Sequence, residues 1–232
     1  MPFDPKVAIV TGASRGIGRA TALALGERGV AVALAARNAV GLVAVENEIR
    51  GRGGRASVIP TDVSNERQVE EMVEETSRRL GPIDLLVNNA GIVARRAIVE
   101  TDSDLWDRVL DVNLKGAFLC TRAALPSMIA RRRGRIVNVS SISGTLGTKL
   151  LSAYCASKWG LIGFTKATAE EMKSHRIQAF SVSPGSVKTE MLQQGLPGAR
   201  PDMEPEDVAS IVLFLATDAP DAMTGASLDV FG

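Results

Sequence analysis

The chain has 232 residues, of which 45% are hydrophobic and 23% charged, and its formal net charge is +1. That is ordinary globular composition, and near-neutrality gives no electrostatic bias toward nucleic acid or membrane surfaces, so neither is expected as a partner. A single domain over residues 1–232, with a sizeable core, is expected. Cys120 and Cys155 lack the paired spacing of metal or redox motifs, and His175 is the only histidine, so no metal is expected. The first residues lack the apolar core of a signal peptide, and no apolar run approaches the roughly 18 residues of a membrane span. A cytoplasmic protein is the expectation.

Residues 7–10, Val-Ala-Ile-Val, are continuously apolar, as in a parallel strand covered on both faces. They lead into Thr11-Gly12-Ala13-Ser14-Arg15-Gly16-Ile17-Gly18 and then a helical pattern over residues 19–28. A strand, a glycine-rich turn and a helix N-terminus make a phosphate cradle, because glycines let backbone amides approach the anion and the helix dipole favours its charge. Residues 29–36 read as the second strand, ending in Ala36-Arg37 rather than in an acid. An acid there would hold the ribose hydroxyls of NAD(H); Arg37, with Arg15 as a second cation, suits the extra 2′-phosphate of NADP(H).

A helix is expected over residues 38–52, a third strand over 56–60, and a helix over 66–80 capped by Ser64 or Asn65. Asp62, at the end of the third strand, either accepts from an adenine amino group or simply forms the turn. The fourth strand, residues 83–87, closes on Asn88-Asn89-Ala90-Gly91, which reads as a ligand-side turn or as a plain one. A helical tract follows over residues 103–133, with Asn113 near its middle between Val112 and Leu114, a place that favours a buried polar role. The arginines at 131–133 and 135 read as complements to the helix C-terminus rather than as a nucleic-acid patch.

Residues 135–139 form a fifth strand that brings Ser141 to a strand end. Tyr154, the only tyrosine, precedes Lys158 by four residues in a helix expected over 153–173, so the two side chains share one face. An ammonium group one turn away favours phenolate; lowering the phenol pKa by ~3 units corresponds to about 4 kcal/mol of differential interaction. Such a phenol is a proton donor and acceptor usable near neutral pH. A sixth strand over 177–183 runs into Pro184-Gly185-Ser186-Val187-Lys188-Thr189. Residues 190–204, rich in Gly and Pro, read as an irregular flap over the site. A helix over 205–217 and a strand over 226–231 complete the chain.

Thr11-Gly12-x-x-x-Gly16-x-Gly18, Asn88-Asn89-Ala90-Gly91, Asn113, Ser141, Tyr154-x-x-x-Lys158 and Pro184-Gly185, in that order, resemble the short-chain dehydrogenases/reductases over nearly the whole length, most of all the 3-oxoacyl-carrier-protein reductases. The resemblance implies a Rossmann-like, doubly wound α/β fold: a seven-stranded parallel sheet with helices on both faces. It also implies hydride transfer between NADP(H) and a ketone or secondary alcohol. Tyr154 would be the general acid, Ser141 would hydrogen-bond the carbonyl oxygen, and Lys158 would hold the nicotinamide ribose and depress the tyrosine pKa. Asn113 would anchor a water linking Lys158 to solvent.

For the cofactor, the resemblance implies contacts from Gly12, Ser14, Arg15, Gly16, Ile17, Gly18, Arg37, Ala90, Gly91, Pro184 and Gly185 as well as Tyr154 and Lys158. Asp62 and Val63 would touch adenine, Asn88 the adenosine-side ribose, and Val187 and Thr189 the nicotinamide amide. A small-molecule or thioester carbonyl substrate and a homo-oligomer, tetramer or dimer, are implied too. Three departures stand out: the flap is short, the sequence ends at Gly232 directly after the last strand, and His175-Arg176 stand where carrier-protein reductases tend to place arginine. A sugar, polyol or other secondary-alcohol dehydrogenase, or a non-catalytic NADP(H)-binding regulator or scaffold, are the alternatives.

Overall fold

The computed structural model describes residues 3–232. Its strands are β1 Val7–Thr11, β2 Ala31–Ala36, β3 Ala56–Pro60, β4 Leu85–Asn88, β5 Gly134–Val139, β6 Ile177–Pro184 and β7 Ser227–Val230. All pair in parallel in one sheet, in the order β3-β2-β1-β4-β5-β6-β7. The helices are α1 Gly16–Glu27, α2 Ala39–Gly51, α3 Glu66–Arg79, α4 Ser103–Leu110, α5 Gly116–Arg131, α6 Ser152–Met172, α7 Glu190–Gly195 and α8 Pro205–Thr217. This is the doubly wound α/β fold that the sequence leads one to expect.

Burial on both faces explains the unbroken apolar strands. Val10, Leu34, Val137 and Phe180 pack on one side with Leu25, Leu42, Val45 and Val212 of α1, α2 and α8. Ile9, Ala33, Leu86 and Ile136, whose side chains alternate to the other side, pack with Met72, Leu119, Met128 and Met172 of α3, α5 and α6. From β1 the sheet builds outward through β2 and β3 one way and through β4 to β7 the other. The loops after β1 and β4 therefore diverge, and a crevice opens at the carboxyl ends of the strands.

Local signals set most boundaries. Asn38 caps α2 by accepting from Gly41 N, and Asn65 rather than Ser64 caps α3 by accepting from Gln68 N. Helix α1 starts at Gly16, within the glycine turn. Two expectations fail in an informative way. The tract over 103–133 is not one helix: a π-turn at Asp111–Lys115, in which Gly116 N bonds Asp111 O, separates α4 from α5. The flap is not irregular throughout, since residues 190–195 form α7, with Thr189 accepting from Leu192 N as its cap.

The arginine run is also put to a different use. Arg131 and Arg133 pair with the buried carboxylate of Asp84 at 2.7 and 3.3 Å. Arg135 is itself buried, donating to Leu215 O at 2.9 Å and Ala219 O at 2.8 Å, so it closes the carboxyl end of α8 rather than that of its own neighbour α5. Among the described residues no helix is long and apolar enough to cross a membrane, and no group of three or more His, Cys, Asp or Glu is placed to hold a metal ion.

Candidate active site

One cleft of about 700 Å³ runs along the crevice, from the glycine turn after β1 to the N-terminal half of α6. Its first end is built by conformation. Gly12 and Gly16 have φ of +66° and +54°, and a Cβ on Gly12 would fall 2.7 Å from Asn89 Nδ2. No side chain caps α1, so its first amides, beside Arg15, Gly16 and Ile17 on the cleft wall, remain for a ligand. The donor set and the bare backbone fit the diphosphate of a dinucleotide. Ser14, Arg37, Asp62, Val63, Ala90, Gly91, Pro184, Gly185, Val187 and Thr189 line the same cleft.

Three anticipated residues stand outside it. A Cβ on Gly18 would lie 2.3 Å from Gly12 O and 2.4 Å from Asn89 Nδ2, so Gly18 is required for α1 to pack on the turn, not for ligand contact. Asn88 is the last residue of β4, and its side chain points into the core, with Nδ2 donating to Asn138 Oδ1 at 2.9 Å and Thr121 Oγ1 at 3.2 Å. Its neighbour Asn89, one residue out of phase, faces the cleft and donates to Thr11 O at 3.0 Å. Asn113 is buried: Oδ1 accepts from Ile92 N at 2.8 Å, while Nδ2 donates to Ile92 O at 2.9 Å and Ser157 Oγ at 3.0 Å. Those bonds occupy the amide N–H groups and one lone pair of Oδ1 in fixing the loop after β4.

Asp62 forms the turn, its Oδ1 accepting from Ser64 N at 3.0 Å and Ser64 Oγ at 2.7 Å, and it also lines the cleft. Burial pushes its carboxyl up, but the Ser64 bonds and the Arg37 guanidinium outweigh that and hold it below the usual carboxylate range. Arg15, by contrast, pairs with Glu190 at the start of α7, across 175 residues of chain.

At the other end, Ser141, Tyr154 and Lys158 meet. Ser141 caps a short turn over Ile142–Gly144. On α6, residues 154, 158, 161 and 165 fall on one buried face. A hydrogen bond from Asn138 Nδ2 to Thr165 Oγ1 at 2.8 Å bolts that face to β5, and a second, from Ser140 Oγ to Lys158 O at 3.0 Å, ties it to the following loop. Replacing Asn138 with Ala removes two buried hydrogen bonds, while Thr165 Oγ1 keeps Leu161 O and Asn88 Nδ2 keeps Thr121 Oγ1, at a cost of about 1–3 kcal/mol. Urea denaturation of the variant should show that loss.

The Tyr154–Lys158 geometry differs from what spacing alone implies. Lys158 Nζ lies 5.7 Å from the ring centroid and donates to Val139 O at 2.8 Å, so the ammonium is aimed at the end of β5 and not at the phenol oxygen. Burial lowers the Lys158 pKa to about 8. Burial likewise raises the Tyr154 pKa, with the Ser141 hydroxyl acting against it and Cys155 adding to it. Within the protein's own groups the phenol is therefore not acidified: desolvation exceeds the pull of its neighbours. Tyr154 OH instead has Met191 Sδ of α7 at 4.0 Å, a neighbour 37 residues away that no local signal announces. Around it Ile92, Val93, Leu151, Met191, Leu192 and Leu196 make the wall apolar.

The family model described as short chain dehydrogenase matches residues 6–198. The chain is 40% identical, over 98% of its length and 96% of the relative's, to a 3-oxoacyl-(acyl-carrier-protein) reductase of Synechocystis sp.. It is 36% identical to the corresponding reductase FabG of Thermotoga maritima, over 100% of this chain and 98% of the relative. The crystal structure of a short-chain type dehydrogenase/reductase from Mycobacterium marinum superposes with a TM-score of 0.91 at 37% identity, covering 98% of this chain and 94% of that one.

Proposed function

The chain belongs to the short-chain dehydrogenase family, and on that footing we propose that it is an NADPH-dependent reductase of 3-oxoacyl thioesters. It is an oxidoreductase that works on CH–OH or C=O groups with a nicotinamide cofactor. The observation that carries the substrate reading is the wall of the cleft beside Tyr154, which Ile92, Val93, Leu151, Met191, Leu192 and Leu196 make apolar. A sugar or polyol would leave its hydroxyls without partners there, whereas an acyl chain would not.

The bound nicotinamide supplies the hydride. Tyr154, kept protonated at neutral pH by its burial, gives its proton to the oxygen that becomes the alcohol, a role that favours reduction. The Ser141 hydroxyl donates to the same oxygen as charge builds on it. Lys158, its amine fixed by Val139 O, would hold the ribose next to the reacting ring, and Asn113 positions the loop after β4. The glycine turn and α1 would hold the diphosphate, and Asp62 and Val63 would contact the adenine. The cofactor reading, NADP(H) over NAD(H), rests on the exposed Arg37 at the end of β2. Exchanging Arg37 for Asp should weaken NADPH binding about 10- to 100-fold, as loss of a charge-assisted contact and gain of repulsion imply. Titration calorimetry with NADPH and NADH checks it.

Assembly into a homo-oligomer, tetramer or dimer, is part of the proposal. Phe118 and Trp159, exposed on α5 and α6 at 41% and 54%, make a face suited to a second copy. The enzymatic reading is tested by mixing the protein with NADPH and a panel of 3-oxoacyl thioesters, simple ketones and polyols and following nicotinamide absorbance. Turnover confined to the thioesters is the expected result. Tight cofactor binding without turnover of any carbonyl would favour a scaffold instead.

A further inference from the structure

The lid of the cleft is tied to its floor where the cofactor's charge must land. Thr189 Cγ2 lies 3.3 Å from the place a Cβ on Gly16 would take, so the start of α7 rests directly on the glycine turn. One residue on, Glu190 pairs with Arg15, and the two side chains are 67% and 61% exposed. The far end of α7 is held separately, by Arg95 Nη1 donating to Gly195 O at 3.3 Å. Arg15 and Glu190 both line the cleft.

We propose that Glu190 sets the affinity and selectivity for cofactor by competing with the 2′-phosphate of NADP(H) for the Arg15 guanidinium. The inference rests on the NADP(H) reading above. A guanidinium presents a planar fork that matches one carboxylate or one phosphate at a time. The pair with Glu190 is exposed and screened, so it is weak enough to open. A phosphate carrying close to two charges outcompetes the single charge of a carboxylate. NADH offers only hydroxyls at that position and gains nothing by opening the pair. Glu190 thus taxes NADP(H) and leaves NAD(H) untouched, and each exchange of partner frees the front of α7 while Arg95 keeps its rear in place.

The two halves of one ion pair should then act in opposite directions. Dissociation constants for NADPH and NADH are measured by calorimetry on the wild type, Arg15→Ala, Glu190→Gln and the double variant. Glu190→Gln is expected to tighten NADPH binding about two- to fivefold, the range of an exposed ion pair, with NADH unchanged. Arg15→Ala is expected to weaken NADPH about tenfold, and Glu190→Gln added to it should change nothing further. If Arg15→Ala weakens NADPH but Glu190→Gln does not tighten it, or tightens NADH equally, the competition is overturned while the NADP(H) reading stands. If Arg15→Ala and Arg37→Asp both leave NADPH binding unchanged, the NADP(H) reading fails with it.

Discussion

Tyr154→Phe is expected to lower reductase turnover by about a thousandfold while leaving NADPH affinity and stability within error. The ring is buried and stays in place, so packing is retained. The one polar atom removed has the weak Met191 Sδ contact and the Ser141 hydroxyl as neighbours, and Ser141 keeps its bond from Ser143 N, so no buried partner is stranded. What disappears is the proton that the new alcohol oxygen requires. Steady-state rates with a 3-oxoacyl thioester, beside calorimetric binding of NADPH, separate the two effects. Turnover near the wild-type level would remove Tyr154 from the mechanism.

Lys158→Met is expected to abolish activity and yet stabilise the protein. The amine is buried, and its pKa of about 8 in place of 10.5 means that the fold penalises its protonated form. A difference of that size corresponds to about 3 kcal/mol, from which roughly 1 kcal/mol is lost because Val139 O is left unpaired. Methionine fills similar space without the charge. The direction with pH follows from proton binding: between about 8 and 10.5 the unfolded chain holds the proton and the folded chain does not, so wild-type stability rises with pH there. The advantage of Lys158→Met should accordingly be largest below pH 8 and fade as pH approaches 10.5. Urea denaturation of both proteins across that range decides it. A variant less stable than wild type at pH 7 would mean that the hydrogen bond to Val139 outweighs the desolvation of the amine.

Much of this was legible in the residues, and the failures have definite causes. Apolar runs ending in Gly, Asn or Pro mark buried parallel strands whose loops gather at one edge, so the glycine turn, Ser141 and the Tyr154–Lys158 pair all reach the cleft. Asn88 and Asn89 were not separable, because assigning one to the core and the other to the cleft needs the strand's phase to the last residue. The π-turn at Asp111–Lys115 carries no Gly or Pro to announce it. It exists because Asn113 finds partners on Ile92, 21 positions earlier. The Arg15–Glu190 pair is equally nonlocal. Nor does a four-residue spacing report desolvation: it places Lys158 beside Tyr154 but says nothing of how deeply both are buried.

The bolt between Asn138 and Thr165 bears on how this helix tolerates insertion and deletion. Because α6 advances about 100° per residue, one amino acid added between Lys158 and Thr165 would leave the rear of the helix seated and swing the phenol and amine a quarter-turn or more around its axis. Natural variation in length within α6 is therefore expected to be confined to its carboxyl end beyond Thr165. The short segment after Thr189, held mainly at its two ends, can grow or shrink to suit a different acyl chain.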